Sequence, residues 1–270
     1  MKTTIKFVTA LVLTTSVLIS CSEDESNDPT PAEFSVENNT RSAQTDNVVE
    51  GTLNIMETAY VESEEGRSVS FFPDCATIVF SPNGNGGTIE ITFENNCELN
   101  NGAIVSGTIF MEYGPIVEGT RTIDYTFEDY FYNGNGVTGG GEIFREIEND
   151  NGNPQSTVNE TIMVSFPNTT VTATRDGLRI AEWVEGVGSG TWTDNVYSVT
   201  GNWETNLSNG FFRNGEVTQP LIRKLNCPYL VEGSLQIEQQ FGTGVIDFGE
   251  GECDSNATIT INGQEFPIQL

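Results

Sequence analysis

Asn-Gly and Asp-Gly dipeptides punctuate the chain, among them those at 83–84, 101–102, 133–134, 151–152, 176–177, 209–210, 214–215 and 262–263. A type I′ turn needs positive φ at both central residues, which these residue types tolerate, so each pair predicts a hairpin. Between the pairs, apolar and polar residues alternate, as in Thr88-Ile-Glu-Ile-Thr-Phe93, Thr161-Ile-Met-Val-Ser-Phe166 and Tyr197-Ser-Val-Thr-Gly-Asn-Trp203. Period-two alternation marks half-buried strands. Spacings of roughly a dozen to thirty residues suit antiparallel neighbours and leave no room for βαβ crossovers. The triplet Gly139-Gly140-Gly141 predicts a bulge or sharp bend. Residues 47–270 thus read as one all-β domain, an antiparallel meander forming either a two-sheet sandwich or a strongly curled sheet.

One short N-terminal helix is predicted over 48–62, covering one face or end of the sheet. Asn47 with Glu50 three positions on makes an Asn form of the capping box. Val49, Leu53, Met56 and Tyr60 fall on one helical face, and Gly66 follows. Gly51 and its β-branched neighbours argue instead for an edge strand.

Residues 1–21 carry an address. Lys2 and Lys6 precede an apolar run over Phe7–Leu18, then Ser20 and Cys21. This is the layout of a secretory signal, too short for a comfortable membrane span. Leu18-Ile19-Ser20-Cys21 resembles the bacterial lipoprotein box, which implies cleavage after residue 20 and a lipid on Cys21. Residues 21–46 are acidic and poor in large apolar side chains, and so read as a flexible tether. A coil of that length spans roughly 25–30 Å.

Four cysteines remain, Cys75, Cys97, Cys227 and Cys253. An even count outside the cytoplasm predicts disulfides. The spacing favours 75–97 and 227–253, each closing a loop worth roughly 3 kcal/mol in the chain-entropy model. Both pairs sit in similar contexts: Cys, a strand, a turn, a second strand ending in Phe93 or Phe248, then Cys.

Thr88–Gly107, Asp194–Gly201 and Val245–Asp254 resemble a large group of acidic, β-rich surface lipoproteins of the Bacteroidota, by order of motifs across residues 45–270. Asn96 stands before Cys97 where that group has glycine. The acidic run after Cys21 resembles the group's surface-export signal. The resemblance implies an outer-membrane location, facing outward, and a β-rich form. It implies no activity.

Charge excludes some functions. The net charge is −28, and after residue 20 nine Lys and Arg face 39 Asp and Glu. Phosphate binding needs clustered Lys and Arg, so nucleic acid is excluded as a partner. Direct adsorption to anionic lipid is opposed equally. With no histidine, Ser-His-Asp and Cys-His catalysis are ruled out. Paired-carboxylate glycan hydrolysis stays open, with no pair nominated. No cofactor is expected, although a structural calcium is weighed at Asp150 and at Asp247, Glu250 and Asp254, whose neighbours also suit turns. Trp183, Trp192 and Trp203 fall within 21 residues. They read either as core or as a stacking platform for sugars. Tyr125–Tyr132 alternates badly, so some of its rings should face outward. The favoured reading is a non-catalytic binding or structural module for protein or glycan, held to the membrane only by its lipid; the alternative is a carboxylate-dependent glycan hydrolase or glycan-capture protein. Intact-mass analysis of the membrane-extracted protein should find an acylated Cys21 as the first residue; an unmodified thiol or a retained residue 1 would remove the anchor.

Overall fold

The computed structural model describes residues 34–65 and 70–270. One helix, α1 (Val36–Glu65), precedes thirteen strands. They are β1 (Ala76–Asn83), β2 (Gly86–Glu98), β3 (Ile104–Tyr113), β4 (Thr120–Tyr132), β5 (Asn135–Glu146), β6 (Gln155–Ser165) and β7 (Thr172–Glu185). β8 (Val196–Leu207), β9 (Phe212–Lys224), β10 (Leu230–Gln239), β11 (Gly242–Glu250), β12 (Asn256–Ile261) and β13 (Gln264–Gln269) complete the order. Every strand pairs antiparallel with its sequence neighbour in a single sheet that does not close into a barrel. The expected meander is present, as one curled sheet and not a sandwich.

The curl follows from the helix. Nearly every residue from Ser42 to Glu62 is buried, on all sides of α1. Among the described residues there is no second helix of comparable length to cover it. A helix buried all round beside a single sheet requires that sheet to wrap it. Leu53, Met56 and Tyr60 join the inner faces of β2–β6, while Ala43 and Val61 join those of β7–β12.

The helix is twice the predicted length, and this corrects the tether. Residues 36–46 are helical, so the flexible segment cannot extend to 46. Hydrophobicity misjudged them because their burial is polar. Asn39 pairs with Gln239, and Asp46 meets Trp203 and Arg213, all more than 150 residues away. The expected signal and lipid site, residues 1–21, and Gly66 lie outside the described residues.

Two dipeptides read as turns lie inside strands. Gly177 pairs with Trp203, which pairs in turn with Gly215. A β-carbon at Gly177 would lie 2.4 Å from that of Trp203, and one at Gly215 would crowd Leu235. These glycines make room for large side chains instead of turning the chain. Asn133-Gly134 and Asn262-Gly263 do form the expected turns, with φ of 48° and 76°, and 51° and 79°. The irregular Tyr125–Tyr132 segment contains a bulge at Asp129, φ 46°, where the pairing with β5 skips Thr138 and Gly139. The bulge resets the alternation, so Tyr125, Phe127, Tyr130 and Tyr132 face inward and Phe131 faces out.

Both disulfides join as expected. Cys75–Cys97 closes the open end of the β1–β2 hairpin, and Cys227–Cys253 does the same for β10–β11, with Cα separations of 5.5 and 5.7 Å.

In a meander, even-numbered strands end on one rim and odd-numbered strands on the other. Tyr132 ends β4, yet its hydroxyl donates to Pro228 O in the β9–β10 connection at 3.2 Å. Opposite rims therefore meet across the helix, where the Tyr132 ring lies on Gly51. A β-carbon there would stand 2.3 Å from the ring. Helix propensity alone would gain about 1 kcal/mol from Gly51→Ala. Overpacking typically costs about 1–3 kcal/mol. Urea denaturation should find Gly51→Ala less stable than wild type; a gain in stability would show that Tyr132 does not seal this seam.

Candidate functional site

Helix α1 has two unlike sides. Asp46, Glu50 and Glu57, spaced to fall on one side, face β5–β9. Gly51, Asn54, Ile55 and Thr58 lie on the other, beneath the seam.

The first side meets buried arginines. Asp46 accepts from the Trp203 indole N–H at 2.8 Å and from Arg213 at 2.6 Å. Glu50 accepts from Arg179 Nε at 2.7 Å and from Arg175 at 3.3 Å. Arg175 Nε also lies 2.8 Å from Glu160 Oε1, and its guanidinium stacks 4.0 Å from the Trp203 ring. Farther along, Arg145 and Ser156 bind Glu57. Arg223 bonds Asn47 and the Tyr132 hydroxyl, both at 3.4 Å. Five of the nine basic residues after residue 20 are thus interior: Arg145, Arg175, Arg179, Arg213 and Arg223.

Burial pushes the Glu50 carboxyl up, but Arg179 and Arg175 outweigh it and leave it below the ordinary value. Burial dominates at Glu160. Arg175 pulls it down and the Glu50 charge pushes it up, for a net value of about 7. Arg175 is itself held protonated against burial by Glu160, Glu50 and Asp46. The asymmetry has a simple cause: three carboxylates share Arg175, whereas Glu160 touches one guanidinium and faces two like charges.

The predicted site residues scatter. Trp203 is 3% exposed and Trp183 5%, with Trp183 stacked on Tyr197 and donating to Glu185 O. Both belong to the core, which removes them from a stacking platform. The alternating strand register carries them inward. Trp192, in a 3-10 turn over Trp192–Asp194, is half-buried and lines the seam. Asp247 and Asp254 each accept a backbone N–H two residues on, as turn residues do. Asn149 serves Asn151 and Asn153 in the same way beside Asp150. Among the described residues no three His, Cys, Asp or Glu side chains gather to hold a metal.

The seam holds a recess of about 50 Å³. Its floor is Gly51, Asn54, Ile55 and Thr58 on α1. One rim contributes Leu99–Asn101 and Tyr132, the other Trp192 and Leu225, and Phe71–Pro73 closes one side. Among the described residues no Asp, Glu, Lys or Arg lines it. Hollows on the outer sheet face differ, being edged by Glu204 and Glu238 or by Glu90 and Asp124. Asn100 donates to Phe71 O at 2.6 Å, and Asn101 accepts from Ala103 N, so both are committed to loop structure. Asn54 is not. It is 4% exposed, and neither its amide nitrogen nor its oxygen has a partner. Leaving such a group unpaired costs about 1–3 kcal/mol. Reasoning from sequence missed Asn54, Phe71 and Phe72, which no local signal marks.

No protein-family profile, curated protein or solved structure matches the chain.

Glu160 yields a pH test. Between about 4.5 and about 7 the folded carboxyl keeps a proton that the unfolded chain releases, so stability falls as pH rises through this window. Glu50 works in the opposite sense, and its contribution is lost as pH falls below the ordinary carboxylate value. Glu160→Gln should gain on wild type by about 3 kcal/mol between pH 4.5 and 7.5 in urea titrations. A difference that stays constant across the window would refute the assignment.

Proposed function

We propose that the chain is a non-catalytic ligand-binding module, anchored to the outer membrane by a lipid on Cys21 and facing outward, whose seam recess takes a neutral part of a glycan. The observation that carries this reading is an aromatic-walled recess, lined among the described residues by no charged side chain, on a strongly acidic protein. Binding sites typically combine apolar walls with few oriented polar groups. Aromatic faces suit the C–H faces of sugars, and amides suit their hydroxyls.

The alternative, carboxylate hydrolysis, finds less support. It needs two accessible carboxyl groups flanking a bond. Glu160 has a value near 7, as a general acid would. It is sealed against Arg175 beneath the sheet, out of reach of a substrate. The anchor reading rests on Leu18–Cys21 and the acidic residues after it. Among the described residues no helix is long and apolar enough to cross a bilayer, which says nothing about strands. With five arginines interior, the exterior is more uniformly acidic than composition conveys, which supports repulsion from anionic headgroups.

A glycan array probed with the chain from residue 22 onward tests the reading. The start matters, because truncation at 47 would remove the first third of α1. A neutral glycan should bind without releasing sugar. Trp192→Ala should weaken binding about tenfold, equivalent to about 1.4 kcal/mol, with little change in melting temperature. Released sugar would favour the hydrolase, and binding indifferent to Trp192 would move the site elsewhere.

A further inference from the structure

We infer that the free edge of β1 is the contact through which two copies of this chain pair, antiparallel about a two-fold axis at Val79. The contact is independent of the seam and of any ligand there.

The two ends of the open sheet are finished differently. β13 carries Glu265 and Pro267, α1 packs against it, and Phe34, just before α1, lies 4.3 Å from its Phe266 ring. Charge, proline and cover are the usual guards on an edge strand. Ala76–Ser81 of β1, reading Ala-Thr-Ile-Val-Phe-Ser, has none of them, in a chain of which 19% is charged. Among the described residues no strand pairs beyond it. Val79 is 48% exposed and Phe80 38%. The Cys75–Cys97 disulfide and the turn at Gly84 hold both ends of the hairpin, so the edge is presented ready formed.

The backbone selects the partner. Glu94 N donates to Cys75 O at 3.0 Å. Antiparallel ladders bond alternate residues, so Thr77, Val79 and Ser81 also bond β2. Ala76, Ile78, Phe80 and Pro82 turn their backbone groups outward. Two of these have nothing to donate: Ala76 N already bonds Pro73 O at 3.0 Å, and proline has no N–H. A second β1 centred on Val79 meets this pattern in full. Ile78 of each copy exchanges both backbone hydrogen bonds with Phe80 of the other, and Ala76 falls opposite Pro82. Every available outward N–H of the strand finds an acceptor, and the positions without one face each other. Val79 meets its symmetry mate on the outer side, and Phe80 is covered by Ile78. Because β13 is guarded, the pairing uses one edge of each copy and closes as a dimer instead of growing into a fibre.

A net charge of −28 on each chain opposes any such meeting. The two-fold keeps that opposition away from the contact. β1 brings no charge of its own, and the carboxylate in the Val79 row, Glu90, lies on β2. Three strand spacings, about 14 Å, separate the two copies of Glu90, more than the Debye length of about 8 Å in physiological salt. What remains is long-range repulsion. Salt should therefore strengthen the dimer, the reverse of an ion-paired contact.

Sedimentation equilibrium of the chain from residue 22, up to about 0.5 mM protein and from about 0.1 to about 0.5 M salt, is the test. Monomer and dimer should both appear, with dimer affinity at least fivefold higher at the upper salt. Phe80→Pro removes an outward donor and leaves the β2 ladder alone, while Val79→Glu sets two carboxylates together on the axis. Each should yield a monomer with an unshifted melting temperature. Under mild oxidation Val79→Cys should cross-link two copies, since paired Cα atoms there stand about 4.5 Å apart, within disulfide reach. Thr77→Cys should not, because it faces Ser81. A monomer at every concentration and salt would overturn the inference and leave the edge to a strand of another protein. So would a dimer that survives both substitutions, one that loosens as salt rises, or cross-linking at position 77 as readily as at 79.

Discussion

Carboxylates on α1 and arginines on the inner face of the sheet hold this molecule in register. Asp46, Glu50 and Glu57 meet Arg213, Arg175, Arg179 and Arg145 across elements remote in sequence. Forming such pairs costs desolvation, and a well-packed apolar interior could be as stable. Breaking one is different, because the abandoned charge stays buried, at about 3–5 kcal/mol. That asymmetry fixes the helix. A rotation by one residue, about 100°, would carry its carboxylates away from the guanidiniums. Apolar contacts alone would resist such a rotation less.

The same pairing organises the exterior. Few basic residues follow residue 20, and most of them are drawn inside. The surface is left with carboxylates in large excess. Trp203 links the two roles: it binds Asp46, carries Arg175 on its face and occupies space left by Gly177 and Gly215. An exposed sugar platform was one reading of this tryptophan; it is instead a structural partner of the ion pairs.

Much of the fold was legible. Alternation marked the strands, Asn133-Gly134 and Asn262-Gly263 marked turns, and cysteine spacing marked both disulfides. Three features escaped. The bulge at Asp129 was visible only as broken alternation. Asp176-Gly177 and Asn214-Gly215 have the composition of turns but serve cross-strand neighbours. The first third of α1 was read as tether because its burial depends on partners such as Gln239 and Arg213. At the candidate site, Trp192 was named and Asn54 was not. An asparagine in a helical pattern carries no local mark of being unpaired.

By itself, then, the order of residues determined what is local: which segments extend, where most of them reverse, and which cysteines lie near enough to join. These follow from φ preferences and side-chain periodicity over a few residues. The tertiary structure alone decided how far the sheet curls, which polar groups are buried together, and where a recess is left open. Those outcomes depend on residues 100 or more positions apart meeting across one helix, and neither propensity nor spacing encodes such a meeting.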